Sequence, residues 1–131
     1  MKNKQITFYV ILFAIVLSSC GKQKSIQGNT PTSVSVKSEI QEIKDLKIGK
    51  KSIVEFELIN TGDSPLLIND VKSSCGCTVP AWEKRPVESG KRTKIKVEIV
   101  PEHSGFFQKT VTVFSNAENS PVKLTVRGTV N

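Results

Sequence analysis

The sequence predicts an all-β protein: an immunoglobulin-like antiparallel β-sandwich of about seven strands, set behind an export signal and a flexible tether. Three observations predict it. Apolar and polar residues alternate with period two in Ser52–Asn60, Arg92–Ile99 and Val122–Arg127, as they do in strands with one packed and one wet face. Clusters of Asn, Gly, Pro, Asp and Ser separate the runs at the spacing of a two-sheet sandwich. No segment carries the 3.6-residue period of an amphipathic helix. A small closed barrel is the alternative with the same pattern.

The first element is the N-terminus. Lys2 and Lys4 precede an apolar run, Ile6 to Leu17, which closes on Leu17-Ser18-Ser19-Cys20. As a helix this run would be about 18 Å long, short of the ~20 residues that cross a bilayer, so residues 1–19 read as a removable export signal. A cysteine directly after Leu-Ser-Ser resembles the bacterial lipobox. That resemblance implies that Cys20 becomes the first mature residue, with a diacylglyceryl thioether and an acylated amine. Each buried methylene contributes about 0.8 kcal/mol, and more than one chain holds a protein stably on a membrane.

After Cys20 comes Gly21-Lys22-Gln23-Lys24-Ser25. It lacks the acidic run that resembles a surface-export tag and the aspartate that resembles an inner-membrane retention signal. The expected location is therefore the cell envelope, on the periplasmic face of the outer membrane. Residues 20–33 form the lipidated cysteine and its tether, rich in Ser, Gly, Asn, Gln and Thr. Such a tether spans roughly 20 Å as a coil and about 43 Å when stretched. Residues 34–131 form the sandwich.

Without residues 1–19, 112 residues remain, with 17 basic and 12 acidic side chains and a net charge of +5. That is one domain with room for a core. The lysines alternate with apolar residues along strands instead of clustering, so they read as wet strand faces and nucleic acid is not an expected partner.

The strands follow in order. A weak run spans Val34 to Ile43. In Ser52–Asn60, Val54, Phe56 and Leu58 share the packed face, with Glu55 and Glu57 opposite. The turn Asn60-Thr61-Gly62-Asp63-Ser64-Pro65 leads into an apolar strand, Leu66 to Val71, and Cys75-Gly76-Cys77 sits at its exit. Pro80, Pro86 and Gly90 mark the following stretch as a loop, with Trp82 in it to cover the open end of the sandwich. Thr93, Ile95, Val97 and Ile99 face inward from the next strand. Phe107, Val111 and Val113 do so from Phe106–Ser115, and Val122, Leu124 and Val126 from the last.

Phe56-Glu57-Leu58-Ile59-Asn60-Thr61-Gly62, Ser74-Cys75-Gly76-Cys77-Thr78, Val87-Glu88-Ser89-Gly90, Gly105-Phe106-Phe107-Gln108-Lys109 and Ser115-Asn116 occur in that order. The set resembles the bacterial family called domain of unknown function 1573, related in architecture to Hydin-like, sperm-protein-like and pilus-chaperone-like sandwiches. The resemblance implies the fold, and implies that the domain binds other proteins, sometimes by offering an edge strand to an extended segment. It carries over no catalytic residue.

Little catalytic chemistry is on offer. His103 is the single histidine, in a Pro-Glu-His-Ser-Gly turn, and reads as a solvated loop residue. Asn60 and Asn116 read as turn formers bonded to local backbone. For Cys75 and Cys77 three uses stay open: a local structural pair, oxidised or reduced; a soft-metal hook for Cu(I) or a redox centre; or an attachment point for lipid or sugar. No catalytic residue, cofactor, metal or small-molecule substrate is expected. The expected function is a non-catalytic binding or scaffolding module, held on the membrane through Cys20 and facing an envelope protein or extended peptide. The alternative is a periplasmic thiol-redox or Cu(I)-handling protein acting through Cys75 and Cys77.

The face assignment is directly testable. Val97→Asp should leave the chain unfolded by circular dichroism, because an unpaired charge would enter the core; a folded variant would mean the faces are inverted.

Overall fold

The computed structural model describes residues 32–131 apart from residue 77. Eight strands form: β1 (Val34–Val36), β2 (Ile40–Leu46), β3 (Ser52–Asn60), β4 (Ile68–Ser73), β5 (Thr78–Trp82), β6 (Arg92–Ile99), β7 (Gly105–Ser115) and β8 (Val122–Val130). They make two four-stranded sheets, β1-β3-β6-β5 and β2-β8-β7-β4. All pairs are antiparallel except β2 with β8. There is no helix among the described residues. The architecture is the expected immunoglobulin-like sandwich.

The strand count exceeds the sequence expectation because the weak run Val34–Ile43 is divided. Its first part pairs with β3 in one sheet. After Lys37–Glu39 the chain crosses over and runs parallel to β8 in the other. Close approach of β2 depends on Gly128, opposite Ile43: a Cβ there would press on the Ile43 carbonyl oxygen. A register shift between Ile43 and Leu46, with Asp45 at φ 62°, then turns Leu46 into the core. Asp is among the residues that tolerate this left-handed conformation.

The stretch Thr78–Trp82 is a strand, not the loop that its proline suggested. β5 lies at a sheet edge, where a residue without an N–H is tolerated. β4 begins at Ile68, later than expected, because Leu66 leaves that sheet to bridge Val87.

The period-two faces are as the alternation implied. Phe56, Leu58, Ile95, Val97 and Ile99 from one sheet meet Val111, Val113, Leu124 and Val126 from the other, each at most 1% exposed. Fully burying an aliphatic or aromatic side chain of this size contributes roughly 1.5–3 kcal/mol. Outside, Lys94 and Lys96 bracket Glu55, Arg92 meets Glu57, and Lys51 meets Glu98. The hydrogen bond from Lys94 holds the Glu55 carboxyl below its ordinary pKa, and the same bond raises that of Lys94. The depressed carboxylate loses its contribution only as pH falls through its folded pKa, and the raised ammonium only as pH rises through its own. The pair is therefore intact across the neutral range, with the small effect of an exposed ion pair.

One end of the sandwich is organised by a buried amide. Asn60 is fully buried. Its Nδ2 donates to the carbonyls of Ser64 and Val87 at 2.8 Å each, and its Oδ1 accepts from Thr32 Oγ1 at 2.7 Å and Gly62 N at 3.0 Å. Its backbone pairs with Lys91 and Gly90. Thr32 is itself buried, bridges Ala117 and belongs to the folded body. Gly62 passes so close to this segment that a Cβ would lie 2.7 Å from Ser33 N and 2.8 Å from Thr32 Cα.

Local turn bonding, expected for both asparagines, holds only in part. Asn116 reaches across the chain, accepting from Leu67 N and donating to Pro65 O, and Asn119 clasps both the N–H and C=O of Val34 in the same way. Each side-chain amide stands in for a missing strand residue.

Asn60→Ala would remove two donated bonds and strand the Thr32 hydroxyl and the Gly62 N–H. It should cost about 3–5 kcal/mol in urea unfolding. Asn116→Ala, at an exposed position, should cost about 1 kcal/mol. Equal losses would remove Asn60 from its special place.

Candidate functional site at the cysteine corner

β4 and β5 are edge strands of opposite sheets, so the segment between Ser73 and Thr78 carries the chain across the side of the sandwich. Two serines hold its entry. Ser74 extends the β4–β7 ladder by one residue: its N–H donates to Thr110 O at 2.9 Å, and its Oγ accepts from Thr110 N at 3.2 Å. Ser73 Oγ lies 2.7 Å from Cys75 O and 2.8 Å from Thr78 O. Its single proton can bond either carbonyl, which ties the two ends of the corner to one hydroxyl.

Cys75 is half-buried and disulfide-bonded. Thr78 is buried beneath it, with Oγ1 3.8 Å from Cys75 Sγ. A disulfide sulfur has no proton, so the hydroxyl is the donor in this weak contact. Cys20 and Cys77 both lie outside the described residues, and the expected pairing of Cys75 with Cys77 falls there with them. In its bonded state Cys75 has no thiolate to offer a soft cation; metal binding would need prior reduction. Gly76 is exposed, with nothing within 4 Å of where a Cβ would stand. Space does not require a glycine there.

The register fixes where this corner lies. Thr78 is opposite Ile99, and Ile99 is opposite Ser52. Asn60 and Thr32 are therefore at the other end of β3, roughly 27 Å away along the strand.

The remaining candidates sit elsewhere. Trp82 ends β5 opposite Ile95 and packs half-buried against the core. Its Nε1, like Thr93 Oγ1, is buried without a hydrogen-bond partner among the described residues. His103 is exposed in the β6–β7 turn, beside Phe106, which is 74% exposed. The structure brings neither to the cysteine corner.

What the geometry does bring together are motifs far apart in the chain. Asn60 of the first motif bonds Val87 and Gly90 of the third, and Ser89 Oγ donates to Gly62 O at 2.6 Å. The family model described as "Protein of unknown function (DUF1573)" matches residues 34–130. The chain belongs to this family. No curated protein matches the sequence.

Solved structures share the fold of this DUF1573 member at low identity. A protein of unknown function from Porphyromonas gingivalis W83 has a TM-score of 0.67 at 13% identity, covering 76% of this chain. The chain spans about half of that protein's length, 47%. The ASH/PapD-like domain 7 of human CEP192 has a TM-score of 0.64 at 13% identity, covering 77% of this chain and 87% of the other. A match at 0.52 and 9% identity, covering 75% and 56%, is in the CsuC–CsuE chaperone–tip adhesion subunit pre-assembly complex of Acinetobacter baumannii. At these identities the likeness is one of fold.

A disulfide closing three residues would constrain the unfolded chain by at most about 1.6 kcal/mol. Cys75→Ser combined with Cys77→Ser should therefore lower the unfolding free energy by no more than about 2 kcal/mol, and Gly76→Ala should change it by less than about 0.5 kcal/mol. A much larger loss in the double variant would mean that Cys75 closes a long loop.

Proposed function

We propose that this DUF1573 member is a membrane-tethered, periplasm-facing binding or scaffolding module of the bacterial cell envelope, non-catalytic and anchored by lipid on Cys20. The observation that carries the reading is the polarity of the body. Thr32, where the described chain begins, is fastened into the Asn60 end, and the cysteine corner lies at the opposite end of β3.

A tether of residues 21–31, about 36 Å when stretched, would let the domain stand clear of the lipid and present its far end and its edges. Chemistry of its own is not part of this reading. The shifted pair Glu55 and Lys94 bind each other on the outer surface. The sandwich neighbours add support by analogy, since the Acinetobacter baumannii structure captures a chaperone of this fold together with a tip adhesion subunit.

Cys20→Ser should give a folded domain that leaves the membrane fraction, as followed by fractionation and circular dichroism. If the variant still sediments with membranes after a high-salt wash, the lipid anchor is wrong.

A further inference from the structure

β1 covers only part of β3. Val34–Val36 pair with Leu58–Asn60, and the chain then crosses to the other sheet. Upstream of that point β3 has a neighbour, β6, on one side alone.

The direction of each backbone group follows from the bonds at the paired end. Asn60 N–H donates to Lys91 O and its carbonyl accepts from Gly90 N, so even-numbered residues of β3 face β6. Thr61 N–H donates to Ser33 O, and Glu57 O accepts from Lys37 N, so odd-numbered residues face the β1 side. The β3–β6 register runs without a break from Ser52 to Ile59. The N–H and C=O of Ile53 and Glu55 therefore point outward, past the end of β1, with no partner among the described residues.

Other edges are guarded in ways that discourage strand addition. β5 carries Pro80. β4 has a register shift between Ile68 and Asp70, an Asp70 carboxylate accepting from Val71 N, and Lys72. β2 is broken between Ile43 and Leu46. The open stretch of β3 has none of these devices, and it exposes Ile53 at 61%.

Beside it lies a groove of about 360 Å³ lined by Lys37, Ser38, Gln41, Glu55, Glu57 and Lys94. Its acids are already engaged, Glu55 by Lys94 and Lys96 and Glu57 by Arg92. Lys37 has no carboxylate partner among the described residues.

We propose that Ser52–Phe56 is a docking edge for an extended polypeptide segment that adds antiparallel to β3, with an acidic residue opposite Glu55, on the outer face that it shares with Lys37, and an apolar residue opposite Ile53. The inference rests on the binding-module reading and names its surface. Backbone groups alternating at strand spacing are matched by another strand, and Lys37, without a carboxylate partner on the outer face, sets the charge of its first outward-facing residue. Such a segment takes up the row of hydrogen bonds where β1 leaves it.

The probe is a capped synthetic peptide, Thr-Asp-Ser-Val-Thr, which places Asp opposite Glu55, on the face of Lys37, and Val opposite Ile53. It is titrated into the full-length, nitrogen-15-labelled chain in detergent micelles. The amide signals of Ile53 and Glu55 should move most, and their hydrogen exchange should slow by about tenfold or more at saturation. Ile53→Lys should weaken binding by about tenfold with an unchanged melting curve, and N-methylation of the peptide's Asp, opposite Glu55, should abolish it. Largest shifts at β4 or β5, or no shift at millimolar peptide, would overturn the proposal. So would protection of Ile53 and Glu55 that grows with protein concentration alone, which would assign the edge to a second copy. An envelope partner that binds the Ile53→Lys chain as tightly as the unaltered one would overturn the edge while leaving the binding-module reading in place.

Discussion

The side-chain amide of Asn60 is the interaction on which the rest of this sandwich depends. A buried amide is costly unless its donors and acceptor are all used, and here they are: two carbonyls, a hydroxyl and a backbone N–H surround it. The partners come from the entering segment, the β3–β4 turn and the β5–β6 connection. Hydrophobic burial makes the two sheets adhere, but it has no direction. The amide says which loops meet, and so in which register the sheets close at this end.

That closure shapes the opposite face of the problem, the edges. Because Thr32 and Val34 are fastened to Asn60, Ala117 and Asn119, β1 starts at the Asn60 end and is short. It then departs for the other sheet, where Gly128 lets β2 approach β8. The departure leaves half of β3 uncovered. A binding edge and a sheet switch are thus the same structural event.

The cysteine corner makes the opposite crossing on the other side of the sandwich, from β4 to β5. Serine hydroxyls and a one-residue extension of the ladder hold it, and a three-residue disulfide ring would add little to that. The corner is well placed to be presented, being at the far end from Thr32.

The alternation in β3, β6, β7 and β8 was readable directly, since period two with one packed face leaves a local trace in the residues themselves. Composition and turn residues likewise determined the sandwich class and the position of Cys75 at a strand exit. Three things were decided only in three dimensions. Thr78–Trp82 forms a strand despite Pro80, because a lost N–H is harmless at an edge. Val34–Ile43 divides between sheets, because its few apolar residues do not say which neighbour they will meet. Asn60, Asn116 and Asn119 look alike as turn residues, yet one is a buried hub and two act as strand surrogates for chain up to 85 residues away. Local chemistry writes a strand's faces into its own sequence; pairing partners, edges and buried polar contacts belong to pairs of distant segments, and only the folded chain brings those together.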